Sequence, residues 1–165
     1  MRFPSGSAVL VIYNARAGAR ANEQFRELLE QKSAEYEFNF KVYKIESANC
    51  ERKIKKEIDD FNPDLLIAAG GDGTVNLVAK IAPHYDLPVL ILPCGSANGM
   101  AREMAIPNHI TAAYDILADY RIKAVDLLSI NGFTCVHLAD VGLNARIVKR
   151  FDQDTRRALK PTSAR

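Results

Sequence analysis

The 165 residues are 48% hydrophobic and 25% charged, an ordinary globular mix that excludes disorder and low-complexity character. Lys and Arg number 22 against 20 Asp and Glu, and the resulting net charge of +2 is too small to mark a nucleic-acid binder. Cys50, Cys94 and Cys135 lie far apart with no CxxC or Cys/His cluster, so neither a disulfide framework nor a zinc site is expected, and a reducing cytoplasm fits. One domain is expected at this length. The apolar runs are strand-sized and none resembles a signal-peptide core, so any membrane contact is expected to be peripheral.

Ala8–Tyr13 (AVLVIY) reads as a strand buried on both faces of a parallel sheet. A turn-like stretch, Asn14–Gly18, leads to a helical pattern carried by Ala21, Phe25, Leu28 and Leu29. Glu37–Lys44 switches to period two. Cys50, Ile54, Ile58 and Phe61 then mark a second helix, whose charged side from Arg52 to Asp60 reads as solvated. Asp64–Ala69 is another fully apolar strand, running into Gly70-Gly71-Asp72-Gly73-Thr74 and a helix stopped by Pro83. Pro88–Leu92 is the fourth strand, followed by Pro93–Asn98 and two helical segments, about Gly99–Ala105 and Asn108–Tyr120.

Ile122–Ile130 and Phe133–Val141 then read as two strands joined by Asn131-Gly132, a strong hairpin signal. Strands alternating with helices predict a three-layer α/β sandwich: a mainly parallel, doubly wound sheet, with an antiparallel hairpin near the C-terminus. Residues 1–149 form the expected domain. Residues 150–165 have little apolar periodicity and read as a tail or linker.

Ligands of open α/β sheets bind outside the carboxyl ends of the strands, where three loops lie. The most informative is Gly70–Thr74. Its glycines are expected to take positive φ and bring backbone N–H groups against a ligand. The helix beginning near Thr74 adds its dipole, making a site suited to phosphate. Asp72 needs a task there: it holds a phosphate-bound Mg²⁺, or it accepts loop N–H groups and fixes the loop's shape. Thr74 caps the helix or donates to a phosphate oxygen. A glycine turn that only packs the helix tightly on the sheet is the structural alternative.

AAGGDGTVNLVA, residues 68–79, resembles the phosphate loop of the diacylglycerol kinase catalytic-domain family, which includes sphingosine kinases and bacterial lipid kinases. The GGDGT core is also similar to that of NAD kinases and phosphofructokinases. The lipid-kinase branch is favoured by Asn14–Gly18 (NARAG), similar to an Asn-Pro-x-x-Gly motif, and by Leu90–Arg102 (LILPCGSANGMAR), similar to the family's Pro-Gly-Thr/Ser-x-Asn segment. Ala124–Leu127 and Gly142–Ala145 resemble its Asp-containing strand and its Gly-x-Asp-Ala turn, so the likeness runs from about Val9 to Ala145.

The resemblance implies a lipid kinase that moves the γ-phosphoryl of ATP, with Mg²⁺, to a lipid hydroxyl. It implies a nucleotide site of Asn14, Gly18, Gly70, Gly71, Asp72, Gly73, Thr74, Asn76, Gly95, Ser96 and Asn98, with Asp72 as the catalytic and metal-facing carboxylate. Asn14 and Asn98 carry both donors and acceptors, which suits a ribose, an adenine edge or a phosphate, and Ser96 can donate to an anionic oxygen. Asn76 points back across the loop or is a helix-surface amide.

The sequence departs from the family pattern at Ala15 (usually Pro), Leu77 (commonly Glu) and Asn144 (commonly Asp). Cys94 reads as a small filler, His84, His109 and His137 as structural, and Arg16, Arg20 and Arg102 as surface cations. An NAD kinase-like phosphotransferase and a non-catalytic nucleotide-binding regulatory domain are the alternative readings.

The resemblance also implies a second, mostly β domain that completes the lipid cleft and supplies the general base and much of the metal site. Asp152 and Asp154 lie in the polar tail, and nothing in the sequence holds them at a γ-phosphate. A missing base typically costs about 10²–10⁴-fold in rate. The 165 residues are therefore expected to phosphorylate diacylglycerol in mixed micelles at or near background in a radiolabelled-ATP assay. Turnover matching a two-domain lipid kinase would place the base within this chain.

Overall fold

A computed structural model describes residues 2–14, 19–46 and 50–136. Four parallel strands form the centre: β1 (Ala8–Tyr13), β2 (Asn39–Lys44), β3 (Leu65–Gly70) and β4 (Val89–Pro93). Their order is β2-β1-β3-β4. The two strands that are continuously apolar in sequence, β1 and β3, lie side by side in the middle, where helices cover both faces. β2 is an outer strand, and its Lys41, Val42 and Lys44 reach solvent.

Alternate residues of the inner strands feed two separate cores. Val9, Val11, Leu65, Ile67 and Leu92 face α1 (Ala19–Tyr36) and α5 (Ile110–Tyr114). Leu10, Ile12, Leu66, Ala68 and Ile91 face α2 (Glu51–Phe61), α3 (Asp72–Ile81) and α4 (Gly99–Glu103). This division follows from right-handed crossovers: the chain leaves β1 in one direction along the sheet and leaves β3 in the other. The sheet is therefore doubly wound, with helices on both faces, as the alternating pattern predicts.

Polar ties hold the helices to one another. Lys32 of α1, buried along its stem, donates to Asp115 at 2.6 Å and Glu35 at 2.9 Å, and Ser33 and Tyr114 share a hydrogen bond at 3.3 Å. These acidic partners push the Lys32 ammonium pKa well up, so it stays charged. On the other face Glu51 of α2 accepts from Lys80 of α3 at 2.7 Å, and that partner, with Lys55, holds its carboxyl below the usual range.

One expectation is corrected near the end of the described chain. The helix read as Asn108–Tyr120 is α5 followed by a 3₁₀ turn over Asp115–Ala118, and Ile110, Leu117 and Tyr120 still pack on the core beneath β4. Of the hairpin read as Ile122–Ile130 against Phe133–Val141, the described residues pair β5 (Leu128–Ile130) with β6 (Phe133–Cys135), and residues 137–141 lie outside them. The Asn131-Gly132 turn has both residues at positive φ, 52° and 81°, as a two-residue hairpin connection requires.

Residues 121–127 form no ladder among the described residues. Continuing the register would pair them largely with residues 137–141, which lie outside the described residues, as do the 15–18 loop, the turn at Gly142–Ala145 and the tail. A groove of about 890 Å³ separates this stretch from β4, lined by Leu90, Met100, Ile106, Tyr120 and Val125 among others. Ile122 is 72% exposed.

The sheet centre should dominate stability. Ile67→Ala, at a fully buried site in β3, is expected to cost about 2–5 kcal/mol, whereas Val42→Ala on the exposed rim should stay within about 0.5 kcal/mol. Urea unfolding midpoints at constant slope check the contrast.

Candidate functional site

The two inner strands point their carboxyl ends at one place, and the chain leaves them in opposite directions. The crevice between the loops after β1 and β3 is therefore the topological switch point, where ligands of such sheets bind. Asn14 ends β1 there, half-buried, and its N–H donates to Ala69 O at 3.1 Å. Gly18, Ala15 and Arg16 of the same loop lie outside the described residues, as does the side chain of Arg20.

The loop after β3 is tighter than the sequence suggests. Gly70 is the last residue of the strand, Gly71 is the helix N-cap and Asp72 already begins α3. Gly71 O takes both the Thr74 N–H at 2.9 Å and the Val75 N–H at 3.1 Å. The amides of Asp72 and Gly73, in the first turn, have no acceptor among the described residues and lie at the positive end of the helix.

The expected positive φ is not what these glycines provide. Among the described residues the positive-φ glycines are Gly6 and Gly132, and Gly71 sits at φ −87°. Their absent side chains provide space instead. A Cβ on Gly70 would lie 2.2 Å from Thr74 Oγ1, so the threonine side chain rests on that bare Cα. A Cβ on Gly95 would lie 2.4 Å from Gly71 Cα. The turns after β3 and β4 thus touch backbone to backbone. Gly73 differs: a Cβ there would meet no protein atom, and the residue is exposed.

Asp72 has one settled task. Its Oδ1 accepts the Met100 N–H at 3.2 Å, tying the first turn of α3 to α4. Thr74 does not cap the helix. It is 3% exposed, and its Oγ1 has no partner among the described residues. Asn76 turns away from the loop, its Nδ2 donating to Thr134 O in β6 at 2.8 Å, while its buried Oδ1 has no described partner. Buried polar atoms without partners are uncommon, and Thr74 Oγ1 and Asn76 Oδ1 are two such atoms within one helical turn among the described residues.

The third loop runs from Cys94, whose N–H extends the β3–β4 ladder to Gly70 O at 3.0 Å. Gly95 and Ser96 are exposed. Asn98 is buried, with left-handed backbone at φ 49°, and its amide is spent on Gly95 within the loop and on Asn108 beyond α4, a residue that sequence reasoning did not single out. Cys94 is exposed as a residue, and partial desolvation of its sulfur pushes the thiol up to about 11. His84, His109 and Arg102 lie on the surface.

Phosphate suits this arrangement: free helix-start amides, an exposed hydroxyl at Ser96 and open space over Gly73. A resident metal would find one carboxylate at this edge, Asp72, and no group of three or more His, Cys, Asp or Glu ligands exists among the described residues. Mg²⁺ carried in on phosphates fits such a site, since that ion keeps its waters and takes few protein ligands.

Comparison with known proteins agrees with this geometry. The model of the diacylglycerol kinase catalytic domain matches residues 8–130. A diacylglycerol kinase of Staphylococcus aureus is 34% identical over 140 residues, covering 80% of this chain and 42% of that protein. A Pseudomonas fluorescens protein named probable lipid kinase YegS-like is 28% identical over 154 residues, covering 92% of this chain and 50% of its own length. The crystal structure of a diacylglycerol kinase from Bacillus anthracis superimposes with a TM-score of 0.65 at 20% identity, over 92% of this chain and 54% of that one, and so shares its fold. The chain spans half or less of the two curated relatives.

The contact between the two turns is testable by a single methyl. Gly95→Ala places a Cβ against Gly71 Cα and also 2.9 Å from Asn98 Oδ1, and both neighbours are held fast. It should destabilise the fold by about 1–3 kcal/mol in chemical unfolding, whereas Gly73→Ala, with open space, should be neutral or stabilising by up to about 1 kcal/mol.

Proposed function

The chain belongs to the diacylglycerol kinase catalytic-domain family, and on that premise we propose that it is the ATP-binding domain of a lipid kinase that moves the γ-phosphoryl of ATP to a lipid hydroxyl. The family is one of lipid kinase-type phosphotransferases; ATP, Mg²⁺ and the lipid acceptor are this proposal. The carrying observation is the contact between the glycine turns after β3 and β4 at the ligand edge, with the Asp72 and Gly73 amides, which have no acceptor among the described residues, beside the open face of Gly73.

Phosphoryl transfer is mostly positioning and charge stabilisation, so a site of fixed backbone donors is suited to it. In this reading the amides at the start of α3 hold the phosphate chain, Ser96 donates to an anionic oxygen, and Asn14 lies at the edge of the same crevice. Mg²⁺ bound with the nucleotide would offset phosphate charge beside Asp72. Gly70 and Thr74 act underneath, by setting the turn. Asn76 and Asn98 act through backbone ties, so they shape the site in place of the direct nucleotide contact first assigned to them.

The acceptor hydroxyl must lose a proton as the new O–P bond forms. Asp72 already accepts the Met100 N–H, which favours a charge-stabilising role for it over that of a base. The proton acceptor and the lipid cleft are ascribed to the remainder of the two-domain architecture that the resemblance implies. No helix among the described residues is long and apolar enough to cross a membrane, so the lipid would be met at a bilayer surface.

Two substitutions at one position separate charge from shape. Asp72→Asn retains an oxygen for the Met100 N–H, and Asp72→Ala removes it. Both should weaken Mg·ATP binding, by about tenfold or more for a charge-assisted contact. Only Asp72→Ala should also lower the melting midpoint. Gly71→Val, which crowds Gly95, should abolish binding. Unchanged affinity in Asp72→Ala and Gly71→Val together would remove the nucleotide from this crevice.

A further inference from the structure

Asn98 is the most committed polar side chain on the ligand edge. It is 5% exposed, and three of the four hydrogen bonds that an amide can make are in place. Its Oδ1 accepts the Gly95 N–H at 2.9 Å, and its Nδ2 donates to Gly95 O at 2.9 Å and to Asn108 Oδ1 at 3.1 Å. The first two bonds grip both polar groups of Gly95, the residue whose Cα presses on Gly71. The third anchors the grip to the segment after α4, outside the loop itself.

The backbone supports the same task. Asn98 takes left-handed φ and ψ of 49° and 46°, a conformation that Asn tolerates better than most residues, and its carbonyl accepts the Arg102 N–H to start α4. Met100, two residues on, gives its N–H to Asp72. The two turns are therefore joined twice, by the Gly71–Gly95 contact and by the Asp72–Met100 bond, and Asn98 sits between these joints.

We propose that Asn98 and Asn108 form a clip that positions the Gly95–Ala97 backbone against the turn after β3, so that both are positioning residues for nucleotide binding and neither touches the nucleotide. The proposal rests on the ATP-binding reading above. It assigns a role to Asn108 that its exposed position on the surface does not suggest.

The experiment measures Mg·ATP affinity by equilibrium dialysis, together with the melting midpoint and hydrogen exchange of the Gly95 amide, on the full chain and three variants. Asn98→Gly keeps the left-handed backbone and deletes the clip; affinity should fall more than tenfold and the Gly95 amide should exchange faster. Asn108→Ala removes one bond and should weaken binding about fivefold. Asn108→Asp keeps an acceptor and should return affinity to within about twofold of the parent, a rescue that general destabilisation would not produce. Binding unchanged in Asn98→Gly while the parent binds Mg·ATP would overturn the clip and leave the ATP reading standing. A parent chain that binds no Mg·ATP would overturn both.

Discussion

The approach of Gly71 to Gly95 is the constraint on which the ligand edge depends. Adjacent parallel strands place their carboxyl ends about 4.8 Å apart, and the helices that follow are far wider than that. Two successive strand-to-helix turns can share one edge only where the backbone is stripped of side chains. Gly70 makes room for Thr74, and Gly95 makes room for Gly71. Once the turns touch, the start of α3 is fixed relative to α4, and Asp72 can bridge them through the Met100 N–H. A pair of ordinary alanine turns would hold the helices farther from each other and leave a looser gap.

The same economy explains where polarity is spent. A glycine-rich edge has few side chains with which to define its own shape, so buried amides do that work. Asn98 is consumed by its loop and Asn76 by the backbone of the hairpin, at 2.8 Å from Thr134 O. What remains free at the surface is largely main chain: helix-start amides that carry no charge to titrate and no rotamer to order. A binding surface of that kind suits an anion whose charge is spread over several oxygens.

Much of this was legible in sequence, and for identifiable reasons. Ala8–Tyr13 and Leu65–Ala69 are continuous apolar runs, and strands of that kind belong in the middle of a covered parallel sheet, where they are. The phosphate turn was legible because glycine, acid and hydroxyl stand in fixed order. Its conformation was not. A glycine can be required by φ or by space, and the sequence does not distinguish the two; here a contact between residues 24 positions apart decides it. Asn108 was unreadable for a similar reason, since its partner is ten residues away across a short helix. Ile122–Leu127 look like a strand in sequence, and nothing among the described residues pairs with them.

The outer strand β2 has a consequence for how this sheet meets other polypeptides. Its rim carries Lys41 and Lys44 beside the exposed Val42, and Lys41 is already engaged with Glu57 at 2.6 Å and lies over the Phe61 ring. Another chain adding itself to that rim would have to strip water from two ammonium groups and break an existing ion pair, a standard defence against edge-to-edge aggregation. The opposite rim, β4, has no lysine, ends in Pro93 and borders an apolar groove. Among the described residues the sheet thus differs at its two rims: charge guards the β2 side, and apolar groups line the β4 side.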